Sequence, residues 1–175
     1  MPLSHFLSTP ASRAIIKFTG LFFGYTILFF FVVEFFPEWI AQVYIRAISY
    51  SASFLLQILY IDNHITLNIA LGDCTLVLHQ ISYRITQGCT GLFTSLLYTA
   101  SVLAYPIGSK IKRIGLVIGI PAFFVFGTLR VVIMGIVAVV RPSHIEDFHI
   151  YYMAIANLGF ALFIWIYWFN EWVKK

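Results

Sequence analysis

The sequence predicts an all-α integral membrane protein with four transmembrane helices, a fifth helix that is interfacial or re-entrant, and a small β-hairpin cap on the outer face. Of the 175 residues, 61% are hydrophobic and only 10% are charged, and the mean hydropathy of +0.90 lies outside the range of soluble globular domains. Several apolar runs are long enough to cross a membrane, and one segment between them alternates polar and apolar residues. No internal repeat or linker divides the chain, so residues 1–175 should form a single membrane-embedded domain.

Four apolar runs are long enough to cross the hydrocarbon core of a membrane, which takes about 20 helical residues. They cover residues 18–36, 90–107, 114–140 and 150–172. A fifth run, residues 39–61, is interrupted by Arg46, Gln57 and several serines. We therefore expect it to lie along the membrane surface or to re-enter, rather than to cross.

The net charge of +4 comes from basic residues beside the apolar runs, which is typical of membrane-topology signals and not of a nucleic-acid-binding surface. Arg13 and Lys17 precede the first run, Lys110, Lys112 and Arg113 precede the third, and Lys174 and Lys175 end the chain. Since Lys and Arg in short loops collect on the cytoplasmic side, both termini should be cytoplasmic. An even number of crossings must then separate Lys17 from Lys110, so residues 39–61 should not cross.

Residues 62–88 are predicted to form a β-hairpin cap on the outer face. Polar and apolar side chains alternate in two stretches, 64–69 and 75–86, as they do in half-buried strands. The sequence Leu71-Gly72-Asp73 between the two stretches is typical of a turn. The cap leads directly into Cys89.

Arg130 lies deep inside the run 114–140, where a charge is costly. A guanidinium cannot lose its charge at membrane depth, so Arg130 needs a partner, a water-filled cavity or a functional role. The structural alternative is an arginine that pairs with a helix-end carbonyl or a buried acid. We interpret Arg130 as a candidate catalytic residue.

Cys89 lies in the sequence Gln87-Gly88-Cys89-Thr90-Gly91, at the predicted start of a span. Backbone N–H groups at a helix start favour the reactive thiolate, and flanking glycines leave room for a substrate backbone. Cys89 is therefore the candidate nucleophile, with Gly88, Thr90 and Gly91 as candidate substrate-binding residues. The structural alternative is a small buried residue, which is the commoner role of a cysteine.

His149 is the candidate for proton transfer near neutral pH. Ser143 and Glu146 match a capping box, which would start the last helix and place His149 roughly 9 Å along it at 1.5 Å per residue. This depth suits Arg130, whose long side chain can extend toward the same membrane surface. The three candidates can then meet near the outer boundary, as a thiol acyl-transfer site requires. His144 is the alternative histidine.

Two other functional classes are open. Cys74 and Cys89, the two cysteines of the sequence, could form a disulfide or the redox pair of a membrane thiol oxidoreductase. Alternatively, Arg130 could pair helices or ions in a non-enzymatic assembly or transport subunit. The cysteines form no CxxC pair and no metal-ligand cluster, and we expect neither a metal nor an organic cofactor.

The order of these residues resembles the exosortase/archaeosortase family. The resemblance rests on Gly-Cys-Thr-Gly at the start of one span, Arg130 within Thr-Leu-Arg-Val-Val in the next, and a histidine before the last. The short length and the stretch Glu-Asp-Phe-His149-Ile look most like the compact H-type exosortases. The resemblance covers the chain from about Tyr83 to the C-terminus.

The resemblance implies a cysteine peptidase or transpeptidase of the bacterial plasma membrane. Its substrates would be exported proteins that end in a short motif, one transmembrane helix and a basic tail. Cys89 would be the nucleophile, Arg130 the characteristic arginine of the family and His149 its histidine, at a site that faces the periplasm or the outside. A thioester would pass the product to water or to an acceptor. Membrane lipids are the other expected partner, and no nucleic acid is expected.

Small residues in the last two runs could also select the substrate. Glycines allow two transmembrane helices to approach closely. The candidates for contact with a substrate helix are Gly119, Gly127, Gly135 and Gly159.

Overall fold

The computed structural model describes residues 10–35, 39–68, 73–78 and 81–174, which are mostly helical with one small sheet. In chain order, the main elements are α1 (Pro10–Phe35), α2 (Trp39–Ile58), β1 (Asn63–Asn68), β2 (Asp73–Leu78), β3 (Ile81–Ile85), α3 (Leu92–Ala104), α4 (Ser109–Val140) and α5 (Pro142–Val173). A 3-10 turn, Gln87–Cys89, lies between β3 and α3. At this level the predicted apolar helical architecture with a small β cap is confirmed.

Three helices in the described part of the chain are long and apolar enough to span a membrane. They are α1 through its segment Ser12–Glu34, α4 and α5. The run 39–61 is helical, as predicted, but α2 is not among the three. Three of the four predicted spans therefore correspond to helices of sufficient length and apolarity, and the prediction of four firm spans is not confirmed.

The helix α3 is apolar but too short to be a span on its own. It has 13 residues, which make about 20 Å of helix against a hydrocarbon core of about 30 Å. It begins after Gly91, whose φ of 71° is left-handed, and it ends at Tyr105. The residue before a proline is disfavoured in the helical conformation, and Tyr105 precedes Pro106. The predicted span 90–107 is thus helical only in its centre.

The helix α5 is continuous but irregular at its start. An α-helical centre, Met153–Trp168, follows a π-helical turn, Phe148–Tyr152, and a 3-10 turn, Pro142–His144. The predicted capping box is not formed, since the 3-10 turn has no side-chain cap. Pro142 already occupies a first helical position, which suits its fixed φ, so Ser143 lies inside the turn rather than in front of it.

The cap is a three-stranded antiparallel sheet in the order β1-β2-β3, and not a two-stranded hairpin. The predicted second strand, 75–86, divides into β2 and β3, which pair with each other through Leu76 and Tyr83. Along β2, Cys74, Leu76 and Leu78 are buried and alternate with half-buried neighbours. A period of two shows which face of a strand is buried, but it does not show where the chain reverses. The cap therefore has the predicted alternation with one more strand.

Two clusters of buried apolar side chains form the core. The first joins α2, the sheet and α4: Ile45, Ile48, Ala52, Leu56, Cys74, Leu76, Leu78, Ile85, Val131, Val132 and Ala138. The second joins α3, α4 and α5: Tyr98, Val102, Phe123, Ile164 and Trp168. Cys89 packs against the first cluster.

The glycines of α4 pack against this chain's own side chains and backbone. A β-carbon at Gly119 would overlap the ring of Tyr98, and one at Gly127 would overlap the carbonyl oxygen of Thr90. Gly135 faces Leu56 at 3.0 Å from the ideal β-carbon position. Of the four glycines predicted to contact a substrate helix, Gly159 alone has open space beside it. The other three serve internal packing, because close approach between helices needs small residues inside the protein as well.

Candidate active site

Cys89 lies in the 3-10 turn directly in front of α3, at the start of the apolar run as predicted. Its N–H donates to the carbonyl of Thr86 at 3.0 Å, and the N–H of Thr90 donates to the carbonyl of Gln87 at 3.2 Å. Gly91 then acts as the N-cap of α3. The turn holds the thiol at the end of β3, where the sheet, α4 and α5 meet.

Three polar groups lie close to the thiol. The Sγ atom is 3.7 Å from Nε2 of His149, 3.5 Å from Oγ1 of Thr86 and 4.0 Å from the carbonyl oxygen of Arg84. The contact with His149 joins residues 60 positions apart in the sequence. The predicted nucleophile and the predicted proton-transfer residue are therefore neighbours in the fold.

His149 reaches the thiol from the π-helical turn Phe148–Tyr152 of α5. π-helical turns are rare in proteins, but those that occur are often found at functional sites. The extra residue changes the direction in which the side chains of the helix point. The alternative histidine, His144, lines a different cavity, together with Arg141 and Asp147. The structure thus brings His149, and not His144, to Cys89.

Arg130 is 7% exposed and lies on α4. Its Nε atom is buried and has no hydrogen-bond partner within the described residues. The structural alternative for Arg130 was a bond to a carbonyl or an acid, and no such bond satisfies Nε in the described part of the chain. A buried donor without a partner costs about 1–3 kcal/mol, and more for a charged group. A bound group that accepts a hydrogen bond from Nε would remove this cost.

Cys89, Arg130 and His149 line one cavity of about 210 Å³. Its full lining is Tyr83, Arg84, Cys89, Arg130, Val131, Met134, Ile145, Glu146 and His149. Hereafter it is called the Cys89 cavity. Its wall combines apolar side chains with a thiol, an imidazole and a guanidinium, which are the groups of a thiol acyl-transfer site.

The three predicted substrate-binding residues have different environments. Thr90 is fully buried, and its hydroxyl donates to the carbonyl of Gln87 at 2.7 Å. Gly91 is also buried and provides the left-handed N-cap of α3. Gly88 is exposed, and a β-carbon there would meet only the hydroxyl of Thr86, at 3.8 Å. Thr90 and Gly91 therefore shape the turn, and Gly88 is the one open to a ligand.

Cys74 is a free thiol, as is Cys89. The side chain of Cys74 is 1% exposed within the first core cluster, and its partners on the two neighbouring strands are Leu67 and Ile85. The sequence left a disulfide or a redox pair open. In this fold Cys74 serves as a small apolar core residue, and the Cys89 cavity does not include it.

Tyr83 and Thr86 are site residues that the sequence did not single out, and Glu146, predicted to be part of a capping box, lines the same cavity. The hydroxyl of Tyr83 donates to the carbonyl of Val131 at 2.8 Å, which links β3 to α4 beside Arg130. Burial raises the pKa of Tyr83 above its ordinary value, and the nearby Cys89 raises it further. The phenol therefore stays protonated and able to donate. Tyr83 could have been identified from its place in the alternating run, because it lies on the same strand face as Ile85.

No protein-family model, curated protein or solved structure matches this chain. The fold and the site define the class to which it belongs in physical terms. It is an apolar, multi-helix protein with a small β cap and a half-buried thiol next to an imidazole in a cavity with a buried guanidinium.

Proposed function

We propose that this protein is a membrane cysteine peptidase or transpeptidase that cleaves C-terminal sorting signals of exported proteins, as its resemblance to the exosortases implies. The observation that carries the proposal is the 3.7 Å contact between Sγ of Cys89 and Nε2 of His149, in a cavity that Arg130 also lines. A nucleophile within reach of a base, next to an unpaired donor, is the arrangement that covalent acyl transfer needs.

Cys89 is the proposed nucleophile. His149 accepts the thiol proton, and the thiolate attacks the scissile carbonyl carbon, which forms a C–S bond and a tetrahedral oxyanion. Collapse of this intermediate breaks the C–N bond, and the amine leaves with the proton from His149. The product of this half-reaction is a thioester on Cys89. Water or an acceptor then attacks the thioester, and the thiol is restored.

Arg130 is the proposed oxyanion-stabilising residue. Because its Nε lacks a hydrogen-bond partner within the described residues, no internal bond at that atom must break before it donates to a developing negative charge. Donors that are already oriented in a water-poor cavity stabilise a transition state more than donors in water do, by about 3–4 kcal/mol for one bond. The apolar walls of the Cys89 cavity provide such surroundings.

The size of the cavity supports a peptide substrate. Pockets for whole drug-sized ligands occupy about 300–1,000 Å³, whereas the Cys89 cavity has about 210 Å³. A cavity of this size holds part of a substrate rather than a whole drug-sized ligand. The remainder of the substrate would extend out of the cavity past Arg84 and Glu146, two lining residues of opposite charge, of which Arg84 is paired with Asp73 at 3.0 Å.

The proposed topology has four crossings: α1, α3 with its flanking turns, α4 and α5. The helix α2 buries Ile45, Ile48 and Leu56 against the protein and exposes Val43 and Phe54, as a helix at the membrane surface with lipid on one side would. The three basic clusters then face the cytoplasm, and the Cys89 cavity faces the outside. An exported substrate would present its motif on that face.

A processing assay tests the proposal. The chain is co-expressed with an exported reporter that ends in a candidate motif, one apolar helix and basic residues, and the reporter's size is followed on a gel. Loss of processing in Cys89→Ala and Cys89→Ser, with retention in Cys74→Ala, is the expected result. Alanine is the better control at position 74, because a buried serine would need a hydrogen-bond partner. Processing that survives in Cys89→Ala would overturn the proposal.

A further inference from the structure

Tyr83 connects the two parts of the chain that carry the thiol and the guanidinium. It lies on β3, six positions before Cys89 along a strand that continues into the 3-10 turn. Its hydroxyl donates at 2.8 Å to the carbonyl of Val131, the residue that follows Arg130 on α4. Gly135, one turn further along α4, also lies beside this hydroxyl, which would be in ordinary contact, at 3.5 Å, with a β-carbon there.

The placement of Arg130 depends on the backbone of α4. Its Nε makes no hydrogen bond to any described residue, so that atom is not held by a side-chain network. The Tyr83 hydroxyl is bonded to the same turn of α4, and a carbonyl oxygen can accept from the tyrosine as well as from the helix. Hence this hydrogen bond links the strand that leads to Cys89 to the helix turn that bears Arg130.

We propose that Tyr83 is a positioning residue, whose hydrogen bond to Val131 sets the distance between the Cys89 thiol and the Arg130 guanidinium. This inference rests on the proposed function, because it assigns Arg130 to the charged states that form at Cys89. Tyr83 acts through Arg130 and forms no bond with the reacting atoms.

Alkylation of Cys89 by iodoacetamide tests the inference without any substrate. The rate is measured in native membranes by mass spectrometry of the Cys89 peptide, over a range of pH, in the wild type and three variants: Tyr83→Phe, Arg130→Gln and the double variant. We expect Tyr83→Phe to slow alkylation near neutral pH by about three- to tenfold, as loss of one hydrogen bond would. The rise of the alkylation rate with pH should also shift to higher pH. In the Arg130→Gln background the same substitution should have no further effect.

Tyr98→Phe is the matched control. The Tyr98 hydroxyl also donates to a carbonyl of α4, that of Gly115 at 3.0 Å, but it belongs to the second core cluster, away from the cavity. The control variant loses the same kind of bond to the same helix and should alkylate at the wild-type rate. Should Arg130→Gln fail to fold, Arg130→Ala and Arg130→Lys replace it, each measured alone and combined with Tyr83→Phe.

Three results would overturn the inference. They are a wild-type rate in Tyr83→Phe, an equal slowing by Tyr83→Phe with and without Arg130, and an Arg130→Gln rate equal to that of the wild type. Each is read from alkylation alone. If no reporter is processed but the alkylation rates of the single and double variants differ as expected, the proposed function is refuted. The coupling of Tyr83 to Arg130 would then still hold.

Discussion

Gly127 on α4 packs directly against the carbonyl oxygen of Thr90, so closely that no side chain fits between them. Thr90 follows Cys89, and Gly127 lies one helical turn before Arg130. This contact brings the turn that carries the thiol to the helix that carries the guanidinium. The arrangement of the site therefore depends on the absence of a side chain at Gly127.

Gly127→Ala should destabilise the protein, because its methyl group would overlap backbone that cannot move as a flexible side chain can. Overpacking of this kind costs about 1–3 kcal/mol. Gly159→Ala is the control, since nothing lies within 4 Å of a β-carbon there, and alanine favours a helix over glycine by about 1 kcal/mol. Thermal unfolding in detergent should show a lower midpoint for Gly127→Ala alone. Equal midpoints for the two variants would refute this packing argument.

His149→Gln should abolish reporter processing, whereas His144→Gln should leave it intact. The imidazole of His149 is 3.7 Å from Sγ of Cys89, and general acid and base catalysis contributes about 10²- to 10⁴-fold to a rate. His144 lines the separate cavity with Arg141 and Asp147. Processing rates of the two purified variants provide the comparison. The opposite order of activities would transfer the proposed role to His144.

Thr86→Val should slow processing by about three- to tenfold, as loss of one hydrogen bond predicts. The hydroxyl of Thr86 is 3.5 Å from Sγ of Cys89, and valine keeps the shape of the side chain without the hydroxyl. Thr66→Val is the control, because that hydroxyl bonds to the carbonyl of Thr75 on the exposed part of the sheet. Steady-state rates at saturating substrate measure the effect. Equal rates in both variants would show that Thr86 does not orient the thiol.

Asn157 and Thr94 should contribute jointly to stability. The amide of Asn157 on α5 donates to the hydroxyl of Thr94 on α3 at 2.5 Å, and hydrogen bonds between membrane helices are worth about 0.6 kcal/mol on average. In a double-mutant cycle, Asn157→Leu and Thr94→Val should therefore have non-additive effects on the free energy of unfolding. Additive effects would mean that the bond does not stabilise the packing of α3 on α5.

The candidate site could be predicted from the sequence because each of its three residues breaks a local pattern. Arg130 interrupts an apolar run, Cys89 follows an alternating segment, and His149 lies where an apolar run begins. The rise per residue of a helix then gives their depths. The structure places Cys89 beside His149 and puts Arg130 in the same cavity. Their catalytic roles remain a prediction.

The finer structure could not be predicted because it depends on contacts between distant residues. The bond between Tyr83 and Val131 joins positions 48 apart, and alternation along a strand carries no information about such a partner. The close approach at Gly127 is likewise visible only when Thr90 is in place. The division of 75–86 into two strands also had no glycine, proline, asparagine or aspartate to indicate it.

A search for the covalent intermediate on Cys89 tests the proposed role of this thiol most directly. Purified protein is mixed with a peptide that carries the intact motif of a reporter that the protein processes, and the reaction is stopped with acid. The mass of the Cys89 peptide is then measured by mass spectrometry. We expect an added mass equal to the acyl fragment, which hydroxylamine removes as it does a thioester. The added mass should be present in Cys74→Ala and absent in Cys89→Ala. Cleavage of the peptide by Cys89→Ala, or an adduct on any residue other than Cys89, would contradict the proposed role.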